Sequence, residues 1–499
     1  MSGPEIDLPA GAPSPSAPAG AGTTTSIRKR AVRASAVTLG GYATAQLLRI
    51  GSNMTLTRLL FPEAFGLMAL ISVLTAGLQM LSDVGIGPSI VQHERGEDVD
   101  FLDTAWTVQV MRGLLLWSIG IAIAYPYAWL YDEPQLVLMT MVATSHAAIA
   151  GLSSTKLYGL SRRMEVGRIV GIDLTAQISS IVTMVIIAWI YETVWALPIG
   201  ALVAALVKTV LSQLAIEGPV NRLRWHRESS RDILHFGKWI FVSTLVGYVA
   251  LRLDIFVLGR LLPLDLLGIY SIAGLLAALP QLITGRLMNA VLFPALAEAA
   301  RKDRAGLPQA LAEVRAVMLP AAMAAVLAIV VLGPAFFRLL YDDRYHDAGW
   351  IAQLLMASAW FGLLIHVGSR TLLALGDSRS LAIANAVRLG ATIIGSLGGY
   401  WLGELPGLII GVAGGGLAGY ASLSVSLRGH GLSTMRDDAG YCLAALVIAC
   451  FGAYGPQLLG EALPGHGLIV YEILSAALVL LPISGLLAHR ARSSMRARH

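Results

Sequence analysis

The chain has 499 residues, of which 56% are hydrophobic and only 13% are charged. Soluble domains carry about 25% charged residues, so this composition excludes a protein whose whole surface faces water. The formal net charge of +5 does not indicate nucleic-acid binding, because the basic residues lie in short segments between apolar runs. These runs follow one another almost without a break, which predicts one membrane domain.

The first 27 residues are rich in Pro, Gly, Ala and Ser and show no apolar periodicity. Such a segment buries too little apolar surface to fold, so residues 1–27 are predicted to be a disordered cytoplasmic tail. The basic residues Arg28, Lys29, Arg30 and Arg33 then precede the first apolar run. That run is too long for a signal peptide and has no small-residue cleavage site, so we expect it to remain in the membrane.

A helix needs about 20 residues to cross the hydrocarbon core of a bilayer. Apolar runs of roughly this size occupy residues 35–60, 64–91, 104–128, 135–158, 167–190, 194–216, 233–260, 265–293, 314–339, 348–375, 381–402, 406–427, 439–457 and 467–488. The pattern predicts an all-α polytopic membrane protein with about fourteen transmembrane helices. The number falls to thirteen or twelve if the last pair is divided wrongly.

The positions of Lys and Arg predict the orientation. With the N-terminus inside and alternating crossings, the inside segments hold 24 of the 36 Lys and Arg residues. The outside loops hold only Arg58, Arg260, Arg338 and Arg344. This asymmetry follows the positive-inside rule, so we expect a multi-pass membrane protein with both termini in the cytoplasm.

The loops are too short to hold a soluble catalytic domain. The phosphate-binding pattern GxxxxGK[ST] is absent, and Cys442 and Cys450 do not form a metal-binding spacing. The densest outside polar cluster, residues 341–347, is interpreted as a solvated loop rather than a catalytic site. We therefore expect no enzyme activity, no catalytic residue, no cofactor and no metal ion.

An internal repeat relates the two halves of the chain. The segment Arg58-Leu-Leu-Phe-Pro-Glu-Ala-Phe-Gly-Leu matches Arg260-Leu-Leu-Pro-Leu-Asp-Leu-Leu-Gly-Ile at an offset of 202 residues. An even number of crossings separates the two copies, so the repeat is parallel, with its axis along the membrane normal. The predicted division is an N-lobe of six helices (28–216), a cytoplasmic linker (217–232), a C-lobe of six helices (233–427), and two further helices with a basic cytoplasmic tail (428–499).

Charged residues within the apolar spans are the candidate functional residues, because a charge in mid-bilayer is costly and usually faces a cavity or a partner. The cations are Arg49, Arg112, Lys208, Lys238, Arg252, Arg286, Arg370 and Arg388, and the acids are Asp83, Asp173 and Asp254. We predict that Arg49, Arg252, Arg112, Arg286, Arg370, Arg388 and Lys208 bind substrate. We consider Asp83, Asp173 and Asp254 for ion coupling.

Depth separates these residues. Arg112, Lys238, Arg286, Arg370 and Arg388 lie near an inside helix end, where snorkelling to the interface remains an alternative. Arg49 and Arg252 lie deep in their spans and at nearly matching places in the repeat, so they are predicted to line a cavity, with a structural ion pair as the alternative. The excess of cations favours an anionic substrate, and Arg suits phosphate because it offers a planar fork of donors.

The segment that opens the second span resembles a known family. The run from Arg58 to Leu67 is followed by Ser82-Asp83-Val84-Gly85-Ile86-Gly87 and, five residues later, by Gln92. This pattern resembles the Wzx-type oligosaccharide-lipid flippases, especially the colanic-acid-exporter-like branch. The residues that carry the resemblance are Arg58, Pro62, Glu63, Phe65, Gly66, Asp83, Gly85, Gly87 and Gln92.

The resemblance implies the fold of the multidrug/oligosaccharidyl-lipid/polysaccharide (MOP) exporter superfamily, in which two six-helix lobes enclose a central cavity and two helices follow. It implies a location in the bacterial cytoplasmic (inner) membrane, across which undecaprenyl-pyrophosphate-linked oligosaccharide units are flipped by alternating access for exopolysaccharide, O-antigen or capsule synthesis. Implied partners are this lipid-linked oligosaccharide, membrane lipids, and a polysaccharide polymerase with export machinery, but no nucleic acid.

Other functions remain open at this stage. A multidrug exporter or a peptidoglycan-lipid exporter of the same superfamily would share the architecture. A multidrug exporter is expected to have acids, rather than cations, in its cavity. An integral-membrane polysaccharide polymerase or ligase is disfavoured, because those enzymes usually carry a large periplasmic loop and none is predicted here.

Overall fold

A computed structural model of the chain describes residues 21–81, 86–87, 90, 98–163, 165–225, 248, 252–288, 306–435 and 438–443. All regular secondary structure within these residues is helical. The first half contains α1 (Ala21–Leu59), α2 (Pro62–Leu81), α3 (Val99–Tyr131), α4 (Gln135–Gly151), α5 (Lys156–Arg162), α6 (Val166–Tyr191) and α7 (Ala196–Leu214). The second half contains α8 (252–261), α9 (Leu264–Ala277), α10 (Leu279–Leu287), α11 (Leu307–Leu340), α12 (Ala348–Ala374) and α13 (Ser378–Gly429).

The described helices are those of a multi-pass membrane protein. Eight helical segments are long and apolar enough to cross a bilayer, and a ninth arises if α4 and α5, which meet at a bend of 63°, form one span. These segments confirm the predicted all-α membrane fold. The predicted number of fourteen crossings stays a prediction, because most of 233–260 and 439–457 and all of 467–488 lie outside the described residues.

Helix α13 corresponds to two predicted spans, 381–402 and 406–427. Its backbone leaves the helical region at Gly403 and Glu404, and Glu404 has a φ of 48°. Pro406 follows two residues later and lacks the backbone N–H that a continuous helix would need there. The two arms then fold together so closely that a Cβ on Gly399 would overlap the backbone of Gly407. The segment is therefore a tight pair of helices, as the hydropathy pattern indicates.

Each half of the described chain forms a helical bundle. In the first half α3 packs on α4, α6 on α7, and α1 on α6; in the second half α11 and α13 pack on α12, as does α9. The main helix contact between the halves is the one between α2 and α9. The division into lobes at 28–216, 217–232, 233–427 and 428–499 stays a prediction.

The contact between α2 and α9 obeys the sequence repeat. A Cβ on Gly66 would overlap the carbonyl oxygen of Leu264, and a Cβ on Gly268 would overlap that of Pro62. Each residue of one contact lies 202 positions from its counterpart in the other, so the two contacts are related by a pseudo-twofold axis. Only glycine allows the two backbones to approach this closely.

The two copies of the repeat also begin their helices in the same way. Pro62 is the first residue of α2, and Pro263 precedes the first residue of α9. An acid lies in the first turn of each helix, Glu63 in α2 and Asp265 in α9, where the helix dipole favours negative charge. The matched sequence thus specifies a chain reversal at one end of both halves.

The motif residues that the structure describes lie at or near helix contacts. The Phe65 ring meets the Tyr345 ring edge to face, with centroids 5.8 Å apart, and Arg58 donates to the carbonyl oxygen of Leu340 at 3.4 Å. Gly87 lies against the Tyr158 ring. Asp83, Gly85 and Gln92 lie outside the described residues.

The loop at residues 341–347 differs from its sequence interpretation as a solvated segment. Asp343–Tyr345 form a turn of 3₁₀ helix, and Tyr345 is completely buried. The Tyr345 hydroxyl donates to the carbonyl oxygen of Leu60 in the other half at 3.3 Å. The loop is therefore part of the contact between the halves, because its aromatic side chain finds an apolar site there.

Candidate substrate cavity

A cavity of about 870 Å³ lies between the two halves. Its wall is formed by α1, α2, α4, α6 and α7 on one side and by α8, α9, α10, α12 and α13 on the other. Pockets that bind small molecules commonly have volumes of about 300–1,000 Å³. The cavity is thus large enough for the polar head group of a substrate, and side chains from both bundles line it.

The charged residues in the wall are mostly cations. They are Arg49, Lys208, Arg252 and Arg388, with Asp173 and Asp254 as the acids. Arg49 lies on the first half and Arg252 on the second, so the structure brings the two deepest predicted arginines to one cavity from opposite sides. Both residues are exposed within the described structure, as a ligand contact requires.

Arg388 reaches the cavity from the first arm of α13. A Cβ on Gly419, in the second arm, would lie 2.7 Å from the Arg388 Cβ. This glycine therefore makes room for the arginine stem between the two arms of the helix pair. Because Arg388 lies near an inside helix end, the sequence allowed its side chain to extend to the membrane interface. In the structure it lines the cavity wall instead.

Lys208 and Asp173 form an ion pair in the wall. The Lys208 Nζ lies 2.7 Å from the Asp173 Oδ1, and both side chains are about half exposed. The sequence predicted separate roles for them in substrate binding and ion coupling. Because they neutralise each other, the net positive charge of the described wall comes from Arg49, Arg252 and Arg388 against Asp254.

Among the described residues, the Asp254 carboxyl accepts a side-chain hydrogen bond at one of its two oxygens. Its Oδ2 accepts a hydrogen bond from the Tyr270 hydroxyl at 2.7 Å. Its Oδ1 is buried and has no hydrogen-bond partner among the described residues. Leaving a buried polar atom without a partner costs free energy, so this carboxyl group is a place where a proton or ligand would be stabilising.

Four predicted residues are not placed in the cavity. Arg112 does not line it; its guanidinium donates to the Gln79 carbonyl oxygen at 3.0 Å, between α3 and α2. Arg370 does not line it either, because the cavity residues of α12 are Leu355, Ser358 and Ala359, about three turns away. The Arg286 side chain and Asp83 lie outside the described part of the chain.

Sequence reasoning missed the uncharged polar residues of the wall. These are Ser52, Asn53, Ser72, Gln177, Ser180, Ser271, Gln281, Ser358 and Thr392. The Gln177 Nε2 donates to the Ala45 carbonyl oxygen at 2.8 Å, and the Gln281 Nε2 donates to that of Ala359 at 3.3 Å. The sequence does contain one indication of this polar wall. Asp173, Gln177 and Ser180 follow helical spacing and therefore lie on one face of α6.

His146 also lies in the wall, where its Nδ1 is 3.5 Å from the Gln79 Nε2. A histidine side chain in such a place can serve as a hydrogen-bond donor or acceptor. The geometry fits such a role, because Gln79 joins His146 to the Arg112 side chain.

Two helical bundles that cross a membrane and share a charged cavity form the architecture of a membrane transporter. The chain belongs to the polysaccharide biosynthesis protein family, whose model matches residues 55–349. This match confirms the resemblance found in the sequence.

Curated relatives agree with this family, and a solved structure shares the fold. The chain is 22% identical to the teichuronic acid biosynthesis protein TuaB of Bacillus subtilis (strain 168), over 60% of this chain and 62% of that protein. It is 24% identical to the lipopolysaccharide biosynthesis protein WzxC of Escherichia coli (strain K12), over 69% of each. The fold matches the lipid II flippase MurJ in an inward closed conformation, with a TM-score of 0.66 and 15% identity, over 92% of this chain and 99% of that one.

Proposed function

We propose that the protein is a flippase that moves polyprenyl-pyrophosphate-linked oligosaccharide units across the cytoplasmic membrane for the synthesis of an extracellular polysaccharide, O-antigen or capsule. The observation that carries the proposal is the cavity between the halves, with Arg49 on one side and Arg252 on the other. Membership of the polysaccharide biosynthesis family supports a saccharide cargo. Relatives named for teichuronic acid and lipopolysaccharide biosynthesis support the same class.

The chemistry of the wall suits the two polar parts of such a substrate. A pyrophosphate carries the negative charge common to all these substrates, and arginine forks bind phosphate oxygens through two hydrogen bonds. Hydroxyl and amide groups such as those of Asn53, Gln177 and Gln281 can bind sugar hydroxyls. The polyprenyl chain stays in lipid. Its apolar surface is already out of water there, so moving it into a charged cavity would bring no hydrophobic stabilisation.

Transport rather than enzymatic turnover is the proposed activity. The substrate moves when the two halves open alternately to the two sides of the membrane. We place the protein in the bacterial cytoplasmic membrane with both termini in the cytoplasm, as its charge asymmetry predicts. A polysaccharide polymerase and export machinery would then take up the flipped units.

Asp254 is the acid best placed to couple transport to an ion. Its Oδ1 is buried and has no hydrogen-bond partner within the described part of the chain, whereas Asp173 is already paired with Lys208. Protonation of Asp254 would remove a buried charge in one state, and contact with water would release the proton in the other. Asp83 lies outside the described residues and stays a prediction.

The proposal is tested by deleting the gene and restoring it with Arg49→Ala or Arg252→Ala. Each variant is expected to abolish export of the polysaccharide without lowering the amount of protein in the membrane, because the phosphate loses an arginine in an otherwise intact cavity. Arg428→Ala is the matched control, since Arg428 is exposed at the end of α13 and does not line the cavity. The measurements are exported polysaccharide and lipid-linked oligosaccharide in the two leaflets.

Accumulation of the lipid-linked oligosaccharide in the cytoplasmic leaflet of the deletion strain would support flipping. Normal export by both arginine variants would exclude the cavity as the substrate site. Normal polysaccharide in the deletion strain, together with altered tolerance to drugs, would favour a multidrug exporter instead.

A further inference from the structure

The loop at residues 341–347, which we name the clasp loop, holds the end of a helix from the other half of the molecule. The Arg344 Nη2 lies 3.3 Å from the Thr57 carbonyl oxygen and 3.5 Å from that of Arg58. These carbonyls are in the last turn of α1, where the helix leaves its acceptors without internal partners. A guanidinium is favoured there by its donors and by the negative end of the helix dipole.

Arg344 is itself held in position by contacts on two sides. Its Nε donates to the Asp342 Oδ1 at 2.7 Å, and this hydrogen bond lowers the pKa of the Asp342 carboxyl below its usual range. Its guanidinium carbon lies 4.8 Å from the centroid of the Phe61 ring, in the turn between α1 and α2. The side chain therefore bridges its own loop and the facing half.

The neighbouring tyrosine adds an apolar contact to the polar one. Tyr345 is buried, its ring meets Phe65 edge to face, and its hydroxyl donates to the Leu60 carbonyl oxygen. On its other side it faces Tyr341, with ring centroids 6.5 Å apart. The clasp loop thus engages the whole turn from Thr57 to Phe65.

The repeat arginines reinforce the same end of the molecule. Arg58 of the first half donates to Leu340, at the end of α11, and Arg260 of the second half lies 3.2 Å from the Asp132 carboxylate, at the end of α3. The Arg260–Asp132 pair is largely exposed, so water can readily replace it. Both contacts cross between the halves at the end that the charge distribution predicts to face outward.

We infer that the clasp loop is the outer gate of the cavity, and that Arg344 and Tyr345 are positioning residues that release the α1–α2 turn when the cavity opens outward. The inference rests on the proposed function for the direction of transport. The polar contacts suit a gate, because they can break and re-form. When they break, water can bind both the helix-end carbonyls and the guanidinium, so no buried group is left unpaired. A role as a gate also explains the polar residues at 341–347, which do not take part in the proposed substrate binding.

The first experiment measures access to the cavity and needs no substrate. Cys442 and Cys450 are replaced by Ser, and Ser72→Cys, which lines the cavity, serves as a reporter for a membrane-impermeant maleimide added from outside. Arg344→Ala is expected to increase the labelling rate several-fold. Arg344→Lys should give a smaller increase, because it keeps the charge but not the fork. Asp343→Ala is the matched control, since the Asp343 side chain is 98% exposed and its contact with His346, at 3.3 Å, lies within the loop.

A second variant protects the test against misfolding. Tyr345→Phe keeps the buried ring and removes only the hydroxyl that reaches Leu60, so it is expected to increase labelling with a normal amount of protein in the membrane. Unchanged labelling in both Arg344→Ala and Tyr345→Phe would overturn the inference.

The second experiment locks the same end without altering the clasp loop. Asp132→Cys and Arg260→Cys are combined in the same background and joined with a short reagent that bridges two thiols reversibly. Joining is expected to abolish polysaccharide export in the chain that keeps Ser72, and reduction should restore it. Export that continues in the joined protein would overturn the inference. If Arg344→Ala increases labelling but deletion of the gene leaves polysaccharide normal, the proposed function is refuted and the gate is retained.

Discussion

The two carboxyl oxygens of Asp254 have different surroundings. One oxygen accepts a hydrogen bond from Tyr270, while the other is buried with no partner among the described residues. A carboxylate in that position is costly, and a protonated carboxyl is much less so. At the scale of single residues, this imbalance separates Asp254 from Asp173, whose charge is matched by Lys208.

Replacing Asp254 with Asn tests its proposed role in ion coupling. In proteoliposomes with a fluorescent lipid-linked oligosaccharide, Asp254→Asn is expected to slow transport and to remove its response to an imposed pH gradient. Tyr270→Phe keeps the carboxyl and should retain the response with an altered pH profile. A gradient response in Asp254→Asn equal to that of the unmodified protein would contradict the role.

Pairing also decides which charged residues can act on a substrate. Charge and depth were enough to predict that Arg49 and Arg252 line a cavity, because both lie far from either end of an apolar run. They could not predict that Lys208 pairs with Asp173 or that Arg112 turns to a backbone carbonyl. Those outcomes depend on neighbouring helices, which a single span does not encode.

At the scale of elements, the crossing of α2 and α9 is the contact that relates the two halves. Gly66 faces the Leu264 carbonyl and Gly268 faces that of Pro62, so both backbones lie closer than any side chain allows. The repeat in the sequence pointed to these glycines, but only the structure reveals that they meet each other. A repeat states that two segments are alike, and it does not state that they touch.

Alanine at these glycines is expected to destabilise the protein. Gly66→Ala or Gly268→Ala places a methyl group on a carbonyl oxygen, and overpacking of this kind costs about 1–3 kcal/mol. The melting temperature in detergent should fall in each variant, and the double variant should lose less than the sum because both sites share one crossing.

Gly51→Ala on α1 is the control for the glycine variants. A Cβ there meets no atom of the described residues within 4 Å, and alanine favours a helix over glycine. Its melting temperature should therefore be unchanged or slightly higher. A fall in Gly51→Ala as large as that in Gly66→Ala would contradict the packing explanation.

At the scale of the whole molecule, the described start of the predicted thirteenth helix is anchored to the second half. Asp438 is buried, pairs with the buried Arg315 of α11, and accepts a hydrogen bond from the Tyr420 hydroxyl at 2.5 Å. The Trp360 Nε1 lies 3.2 Å from the Cys442 Sγ. These contacts place the beginning of this segment against the second half, which the repeat did not predict.

Breaking the Arg315–Asp438 pair from one side is expected to be severe. Asp438→Ala leaves Arg315 buried without its carboxylate, which costs about 3–5 kcal/mol. The double variant Arg315→Met with Asp438→Leu removes both charges and should recover most of the melting temperature. A double variant as unstable as Asp438→Ala would show that the charge is not the cause.

The amino-acid pattern alone predicts a helical membrane protein with two related halves, and the segment that begins at Arg58 indicates the family. This is possible because hydropathy, charge asymmetry and repeats are properties of contiguous residues. The packing of the helices adds that Arg388 reaches the same cavity as Arg49 and Arg252, that Lys208 is neutralised, and that residues 341–347 hold the end of α1. Arg344 and Thr57 are 287 positions apart, and their contact depends on how two bundles pack rather than on any local pattern.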